Sequence, residues 1–319
     1  MNWEHHSPLG MPRRSHSPLM IEGVIVRSQS GFYTVDTSDG LVVCQLRGRM
    51  KKGPRLGDVA AVGDQAEVTL LSDGSGVIEA ILPRRSLFSR MAPTPKGEYQ
   101  QILIANPDQA VFVFACAEPK LRSGMLDRFL VIAERQGIPA LIVANKKDLV
   151  ELEQAQELFG YYSPLGYAVI YTSARTGYGV MELKERLAGK ISLFTGPSGA
   201  GKSSLLNAIQ PGLGLAVRQV SRMTTKGRHT TVVREMFPLQ GGGYVADTPG
   251  LKALALWDVE AEEIDAYFPE MRSLVEHCQF NDCTHVHEPG CAVRAAVDEG
   301  TMHPKRYRSY LHMRLGVGD

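Results

Sequence analysis

Residues 196–203 read Gly-Pro-Ser-Gly-Ala-Gly-Lys-Ser, the form G-x-x-x-x-G-K-[ST]. A loop of this kind binds phosphate. Its glycines let successive backbone N–H groups converge on phosphate oxygens at the start of a helix, where the helix dipole also favours negative charge. Gly196, Ser198, Gly199, Gly201 and Ser204 are the expected backbone contacts. Lys202 is expected to reach the β- and γ-phosphates and so to act in catalysis, and the Ser203 hydroxyl to ligate Mg²⁺. The apolar run Ile191–Thr195 precedes the loop and SSLLNAI follows it, which is the strand–loop–helix context the motif requires. Further on, Asp247-Thr-Pro-Gly250 follows the strand-like GGYVA. A carboxylate at that strand end supplies a second Mg²⁺ partner, and Gly250 offers an N–H to the γ-phosphate.

A guanine ring presents N1–H and an exocyclic amine, and one carboxylate can accept from both. Asn145-Lys146-Lys147-Asp148 has the form N-K-x-D and directly follows the apolar run ALIVA. Asp148 is expected to take the two donors, Asn145 to tie the loop, and the Lys146 stem to cover the ring face. Thr172-Ser173-Ala174, after the next strand-like run, suits a companion loop whose backbone meets the base oxygen. Together these motifs select GTP over ATP.

The base-binding motifs precede the phosphate loop, the reverse of the usual order, so the domain is expected to be circularly permuted. A new cut in a surface loop builds the same site when the original termini lie close together. In this order the Asp247–Gly250 segment runs directly into the C-terminal region, which would receive its movement on hydrolysis. Between the phosphate loop and Asp247 lies SRMTTKGRHTT (221–231), whose Gly, Lys and hydroxyl residues suit a mobile switch. Thr230 or Thr231 is expected to reach Mg²⁺ in the GTP state. Leu251 stands where many signalling GTPases carry a water-orienting glutamine, and leucine cannot orient water. His229 is the candidate for that role, with an RNA-contacting or solvated loop residue as the alternative.

Cys278-x4-Cys283-x-His285-x5-Cys291 offers three thiolates and an imidazole, a set suited to tetrahedral Zn²⁺ in a closed structural site. His277 and His287 are spare imidazoles that leave the ligand choice open at this level. The metal is expected to staple a small α-rich domain that cannot build a core of its own.

The elements that must position these groups follow from pattern. IEGVIV, FYTV, GLVVCQL, QAEVTLL and GVIEAIL are five short β-like runs between residues 21 and 82, with turn clusters at Thr37–Gly40 and Ser72–Gly76. They suit an all-β barrel of the oligonucleotide-binding (OB) type over 20–84. Arg47-Gly-Arg49-Met-Lys51-Lys52-Gly-Pro-Arg55 between two runs is either a solvated face or a contact to RNA phosphates. Residues 85–100, basic and with two prolines, suggest a linker. From 101 to 255 apolar runs alternate with helical spacing, beginning with AVFVFAC at 110–116, which predicts an α/β P-loop domain with a parallel sheet. Residues 256–319 hold the cysteine cluster and end in a basic, tyrosine-bearing stretch, Lys305–Tyr310 and Arg314. That stretch suits either RNA contact or an ordinary amphipathic end helix. Residues 1–19, rich in Pro, Ser and His, are expected to be a disordered arm.

The chain has 319 residues, net charge +1 and a 44% hydrophobic share, which fits several packed domains without a global charge bias. No apolar run reaches the length of a membrane span, and the N-terminus has no apolar signal core. A cytoplasmic protein is the expectation, and a reducing compartment favours metal over disulfides for the clustered cysteines.

The motifs in sequence, NKKD, SAR, GPSGAGKSSLLN, GRHTT, DTPG and CQFNDCTHVHEPGCAV, resemble the RsgA/YjeQ family of bacterial small-ribosomal-subunit biogenesis GTPases over about residues 20 to 315. The resemblance implies an OB barrel, a permuted GTPase and a zinc-binding C-terminal domain. It implies GTP hydrolysis stimulated by the small subunit, in late maturation of that subunit. The implied partners are the subunit and its 16S-type rRNA, for a monomer with no membrane partner. Cys278, Cys283, His285 and Cys291 fall on the family's zinc ligands, and His229 on the histidine of its GRHTT switch. Val232 departs from the family pattern, where a further Thr is common.

Overall fold

The computed structural model describes residues 20–51, 57–94, 97–214, 234–247 and 259–317. Five strands form the N-terminal barrel: β1 (Met20–Gln29), β2 (Phe32–Thr37), β3 (Gly40–Leu46), β4 (Gln65–Leu70) and β5 (Gly76–Ile81). They run in the order β1-β2-β3-β5-β4, and β4 pairs back onto β1, closing the sheet. β3 and β5 are parallel neighbours and the other pairs antiparallel, the expected OB arrangement. Period-2 alternation makes the closure possible. Val35, Val42, Cys44, Leu46, Ala66, Val68 and Ile78 point inward and are buried, while Leu41 and Val43 between them face out.

The segment expected to be a linker is instead an antiparallel ribbon, β6 (Leu87–Thr94) on β7 (Gly97–Ala105). A two-stranded ribbon has no central strand, so Pro93 costs no interior ladder bond. The base of the ribbon is fixed by Phe88, Ile102, Ile104 and Ala105, all buried. A linker assignment from proline and charge missed this because the apolar residues that anchor the ribbon lie at its ends.

The α/β core carries β8 (Gln109–Ala115), β9 (Ala140–Asn145), β10 (Ala168–Tyr171), β11 (Ile191–Thr195), β12 (Arg234–Pro238) and β13 (Tyr244–Asp247). Its order is β10-β9-β8-β11-β13-β12, parallel except for β12. Helices α1 (Ser123–Arg135) and α2 (Leu152–Phe159) lie on one face with Phe112, Phe114, Ile142 and Ala144. Helices α3 (Val180–Leu187) and α4 (Lys202–Ile209) lie on the other with Val111, Val113, Leu141 and Val143. Both faces are covered, which is why β8 reads as a continuous apolar run and is buried throughout. The chain changes face between β10 and β11. That makes the β8/β11 boundary a topological switch point, where α/β sheets place ligands at the carboxyl ends of their strands.

Barrel and core are one continuous sheet. β12 pairs antiparallel with β1, at Arg27 opposite Glu235 and Ser28 opposite Arg234. The C-terminal region consists of short helices, including α5 (Ala292–Asp298) and α6 (Pro304–Arg314). It does have a core: Ile264, Phe268, Met271, Val293, Ala296, Met302, Tyr310 and Met313 cluster with Val131 of α1. Against the expectation that the region builds no core of its own, it supplies most of this one, and Val131 of α1 completes it.

The basic tail is also largely inward-facing. Arg306 is fully buried, Tyr310 donates to the Thr284 carbonyl at 2.8 Å, and Tyr307 donates to the His285 carbonyl at 2.7 Å. Lys305 and Arg308 are exposed. Of the two expectations for this stretch, the packed end helix describes Arg306, Tyr307 and Tyr310: the two tyrosines hold the loop around His285, and Arg306 pairs with Asp127 and Glu270. Among the described residues no helix is long and apolar enough to cross a membrane.

Candidate nucleotide site and metal centre

The phosphate loop leaves β11 and enters α4 at Lys202. Gly196 has φ +147° and a Cβ there would lie 2.0 Å from the Val113 carbonyl, so only glycine permits this approach of β11 to β8. Gly201 has φ +90°, and a Cβ would meet Asn145 Nδ2 at 2.5 Å. The Lys202 ammonium donates to the carbonyls of Gly196 at 2.6 Å and Pro197 at 2.9 Å. It therefore lies at the loop itself. Ser203 and Ser204 follow Lys202 in the N-terminal turn of α4.

Asn145 ends β9 and is buried. Its Nδ2 donates to the Ala200 carbonyl at 2.9 Å, and its Oδ1 accepts from the Thr172 hydroxyl at 3.1 Å. One amide thus links the phosphate loop to the loop after β10. Lys146 adopts the left-handed region at φ 62°, and its ammonium donates to the Glu118 carbonyl in the loop after β8. Asp148 accepts from the Ser173 hydroxyl at 2.6 Å, with Arg175 at 3.9 Å. Ser173 in turn accepts from Thr176 N at 3.1 Å, which fixes its rotamer and so the carboxylate plane. Ala174 follows in the same turn and is half-buried.

Asp247 ends β13, whose backbone is in parallel register with β11, Phe194 opposite Asp247. Its Cα therefore sits at the same sheet end as Gly196. His229, Thr230, Thr231 and Gly250 lie outside the described residues. The structure brings Asn145, Lys146, Asp148, Ser173 and the 196–204 loop to one sheet edge. Thr172 opens the companion loop read from sequence, but its tie to Asn145 does not show there, and Glu118 belongs to no motif.

The sulfurs of Cys278, Cys283 and Cys291 and one His285 nitrogen all lie within 4.8 Å of one another. His285 Nδ1 is 3.4 Å from Cys291 Sγ and 3.6 Å from Cys278 Sγ. A tetrahedral zinc with bonds of about 2.3 Å to sulfur and about 2.0 Å to nitrogen needs edges of roughly 3.5–3.8 Å, so the donor set fits the ion. His277 and His287 are exposed and stand apart from it. His285 Nε2 is 3.4 Å from Asp265 Oδ2, the carboxylate support expected behind a ligating imidazole.

The loop is preshaped by Glu288. That carboxylate accepts from the backbone N–H of Thr284 at 3.0 Å, Val286 at 3.0 Å and His287 at 3.1 Å, and from the Thr284 hydroxyl. These donors, the hydroxyl first, hold its pKa far below the usual carboxylate range. Glu288 and Asp265 were missed by pattern reasoning. Only the position of Glu288 three residues after a ligand hinted at it.

Residues 81–257 match the RsgA GTPase family and residues 22–78 the RsgA N-terminal domain. A "Small ribosomal subunit biogenesis GTPase RsgA" of Gemmatimonas aurantiaca is 45% identical over 298 residues, covering 92% of this chain and 96% of its own. The protein of the same name from Caldanaerobacter subterraneus subsp. tengcongensis is 43% identical over 291 residues, covering 91% and 94%. The chain belongs to the RsgA GTPase family. It is a GTP-hydrolysing enzyme, for which GTP, GDP and Mg²⁺ are the implied ligands. The crystal structure of YjeQ from Thermotoga maritima matches with TM-score 0.75 at 37% identity, covering 94% of this chain and 99% of that one. YloQ, described as a circularly permuted GTPase, matches with TM-score 0.70 at 29% identity, covering 96% and 97%. The permuted order read from the motifs is thus shared with an RsgA-like structure.

Proposed function

We propose that this enzyme binds the small ribosomal subunit through its rRNA, that the subunit stimulates its GTP hydrolysis, and that it acts in late maturation of that subunit. The observation that carries this reading is the continuous sheet. A barrel of a type that commonly binds RNA is hydrogen-bonded, through β1 and β12, into the core that holds the nucleotide. The names of the relatives supply the identity of the partner.

In this reading Asp148 accepts from the guanine N1–H and amine, and Ser173 and Ala174 line the base. Gly196, Ser198, Gly199, Gly201, Lys202 and Ser204 hold the phosphates. Ser203 and Asp247 hold Mg²⁺, with Thr230 or Thr231 and Gly250 sensing the γ-phosphate. His229 orients the attacking water. Cys278, Cys283, His285 and Cys291 hold one structural Zn²⁺. The units are the barrel at 20–84, the permuted GTPase up to about 255 and the zinc domain beyond it.

Exposed Arg47 and Arg49, which share Glu79, and exposed Lys305 and Arg308 are cations available to phosphates. Steady-state GTP hydrolysis, alone and with purified small subunits, at low and high salt, tests the proposal. Stimulation that fades with salt is expected, since phosphate contacts release counterions. Activation of less than a few-fold would instead favour a GTP-regulated RNA-binding scaffold.

A further inference from the structure

The barrel does not grip the core at random: it is tied to β12, which follows residues 221–231 in the chain, and to β13, which ends at Asp247. β12 begins at Arg234, immediately after the chain segment that contains His229, Thr230 and Thr231. Arg234 Nη1 donates to Asp58 Oδ2 at 3.2 Å and to the Ile102 carbonyl at 2.9 Å. Asp58 belongs to the barrel loop before β4. It also accepts from the Tyr99 hydroxyl at 2.8 Å and from Ile102 N at 3.0 Å, both on β7 of the ribbon. One carboxylate therefore gathers the barrel, the ribbon and the first residue of β12. On the neighbouring strand, the Tyr244 hydroxyl at the start of β13 donates to Asp36 of β2 at 2.7 Å, three residues before Asp247.

His229 is five residues from Arg234, a span of at most roughly 18 Å of extended chain. A shift of the barrel loop or the ribbon thus moves Arg234, which is only five residues from His229 in the chain. We propose that the Arg234–Asp58 pair is a positioning device for GTP hydrolysis, which fixes the end of the switch segment so that load on barrel or ribbon sets turnover. Arg234 is a positioning residue, not a catalytic one. The inference rests on the reading of residues 221–231 as the switch.

The test is single-turnover GTP hydrolysis by the full chain, with and without small subunits, beside equilibrium binding of a fluorescent GTP analogue and a thermal melt. Arg234→Met is expected to lower the hydrolysis rate about tenfold, with analogue affinity within twofold of the parent. Arg234→Lys, which keeps the charge facing Asp58, is expected to recover most of the rate. Should Arg234→Met fail to fold, Asp58→Asn carries the same test, because it keeps an oxygen acceptor and removes the charge. Parental turnover in Arg234→Met would overturn the proposal. So would parallel loss of rate and affinity, or failure of lysine to rescue. If the parent is not stimulated by subunits, the ribosomal reading fails by itself, and the Arg234 comparison is still read on unstimulated turnover.

Discussion

Replacing Arg306 by methionine should detach the C-terminal region from the GTPase core. Arg306 Nη1 donates to Asp127 Oδ1 of α1 at 2.6 Å, and its Nε and Nη2 fork onto Glu270 at 2.7 and 3.1 Å. The guanidinium also lies 4.4 Å from the Phe268 ring centroid. Arg306 and Asp127 side chains are 0% exposed and Glu270 7%. Methionine fills much of the volume but leaves two carboxylates facing each other's former partner, Asp127 keeping its hydrogen bond from the Tyr162 hydroxyl at 2.8 Å. Removing one member of a buried ion pair costs about 3–5 kcal/mol, and a guanidinium shared by two carboxylates belongs near the upper end. At about 2–4 °C per kcal/mol, the melting point should fall by roughly 8–20 °C.

The deficit should depend on pH. Burial already raises the Asp127 pKa against the pull of Arg306. Without that arginine its folded pKa rises further above the unfolded value of about 3.9, so the variant's penalty is smallest below that value and widens as pH increases through the folded one. Urea melts of parent and variant between pH 5 and 8, with hydrogen exchange of α6, measure it. The triple variant Asp127→Leu, Glu270→Met, Arg306→Met removes all charges and should regain most of the loss. A penalty under about 1 kcal/mol for Arg306→Met, or a triple variant as unstable as the single, would refute the buried-charge argument.

If Asp148 accepts the two guanine donors as proposed, Asp148→Ala should cost two charge-assisted bonds, about 3–5 kcal/mol together, and cut discrimination of GTP over ATP by roughly 10²–10⁴-fold; competitive binding would show it, and unchanged discrimination would refute that role. Metal analysis should find about one zinc per chain. Because Ile264, Phe268, Val293 and Tyr310 form a core with α1, chelation should raise hydrogen exchange in residues 278–291 while leaving α6 protected. Exchange lost equally in α6 would show that the metal carries the whole domain. His303 caps α6 by accepting from Lys305 N at 3.2 Å and stacks on Tyr161 at 4.0 Å. Burial, with Lys305, lowers its pKa. The unfolded chain then binds the proton more readily, so stability from this site is full above about pH 6.5 and declines as pH falls below it. In His303→Gln that component of the pH profile should vanish.

Much of the architecture was written locally. The five barrel strands follow from period-2 alternation between turn residues, and β8, β9 and β11 from apolar runs covered on both faces. The phosphate loop and N-K-x-D are contiguous motifs, because backbone geometry at a strand end fixes which residues can serve. Their order alone revealed the permutation. The thiols and the imidazole of the metal centre were also a local pattern, although only the folded loop set His285 apart from His277 and His287.

What tertiary structure decided lies between distant segments. Charge and proline made 85–100 resemble a linker, yet Phe88 and Ile102 bury the base of a ribbon. A basic, tyrosine-bearing tail resembled an RNA contact, yet Asp127 lies 179 residues before Arg306 and neutralises it inside the protein. The tie of Arg234 to Asp58 spans 176 residues. A side chain's own sequence neighbourhood carries no record of a partner that far away. Burial turns such a charge from a solvated group into one whose energy depends wholly on that partner, and only the fold brings the two together.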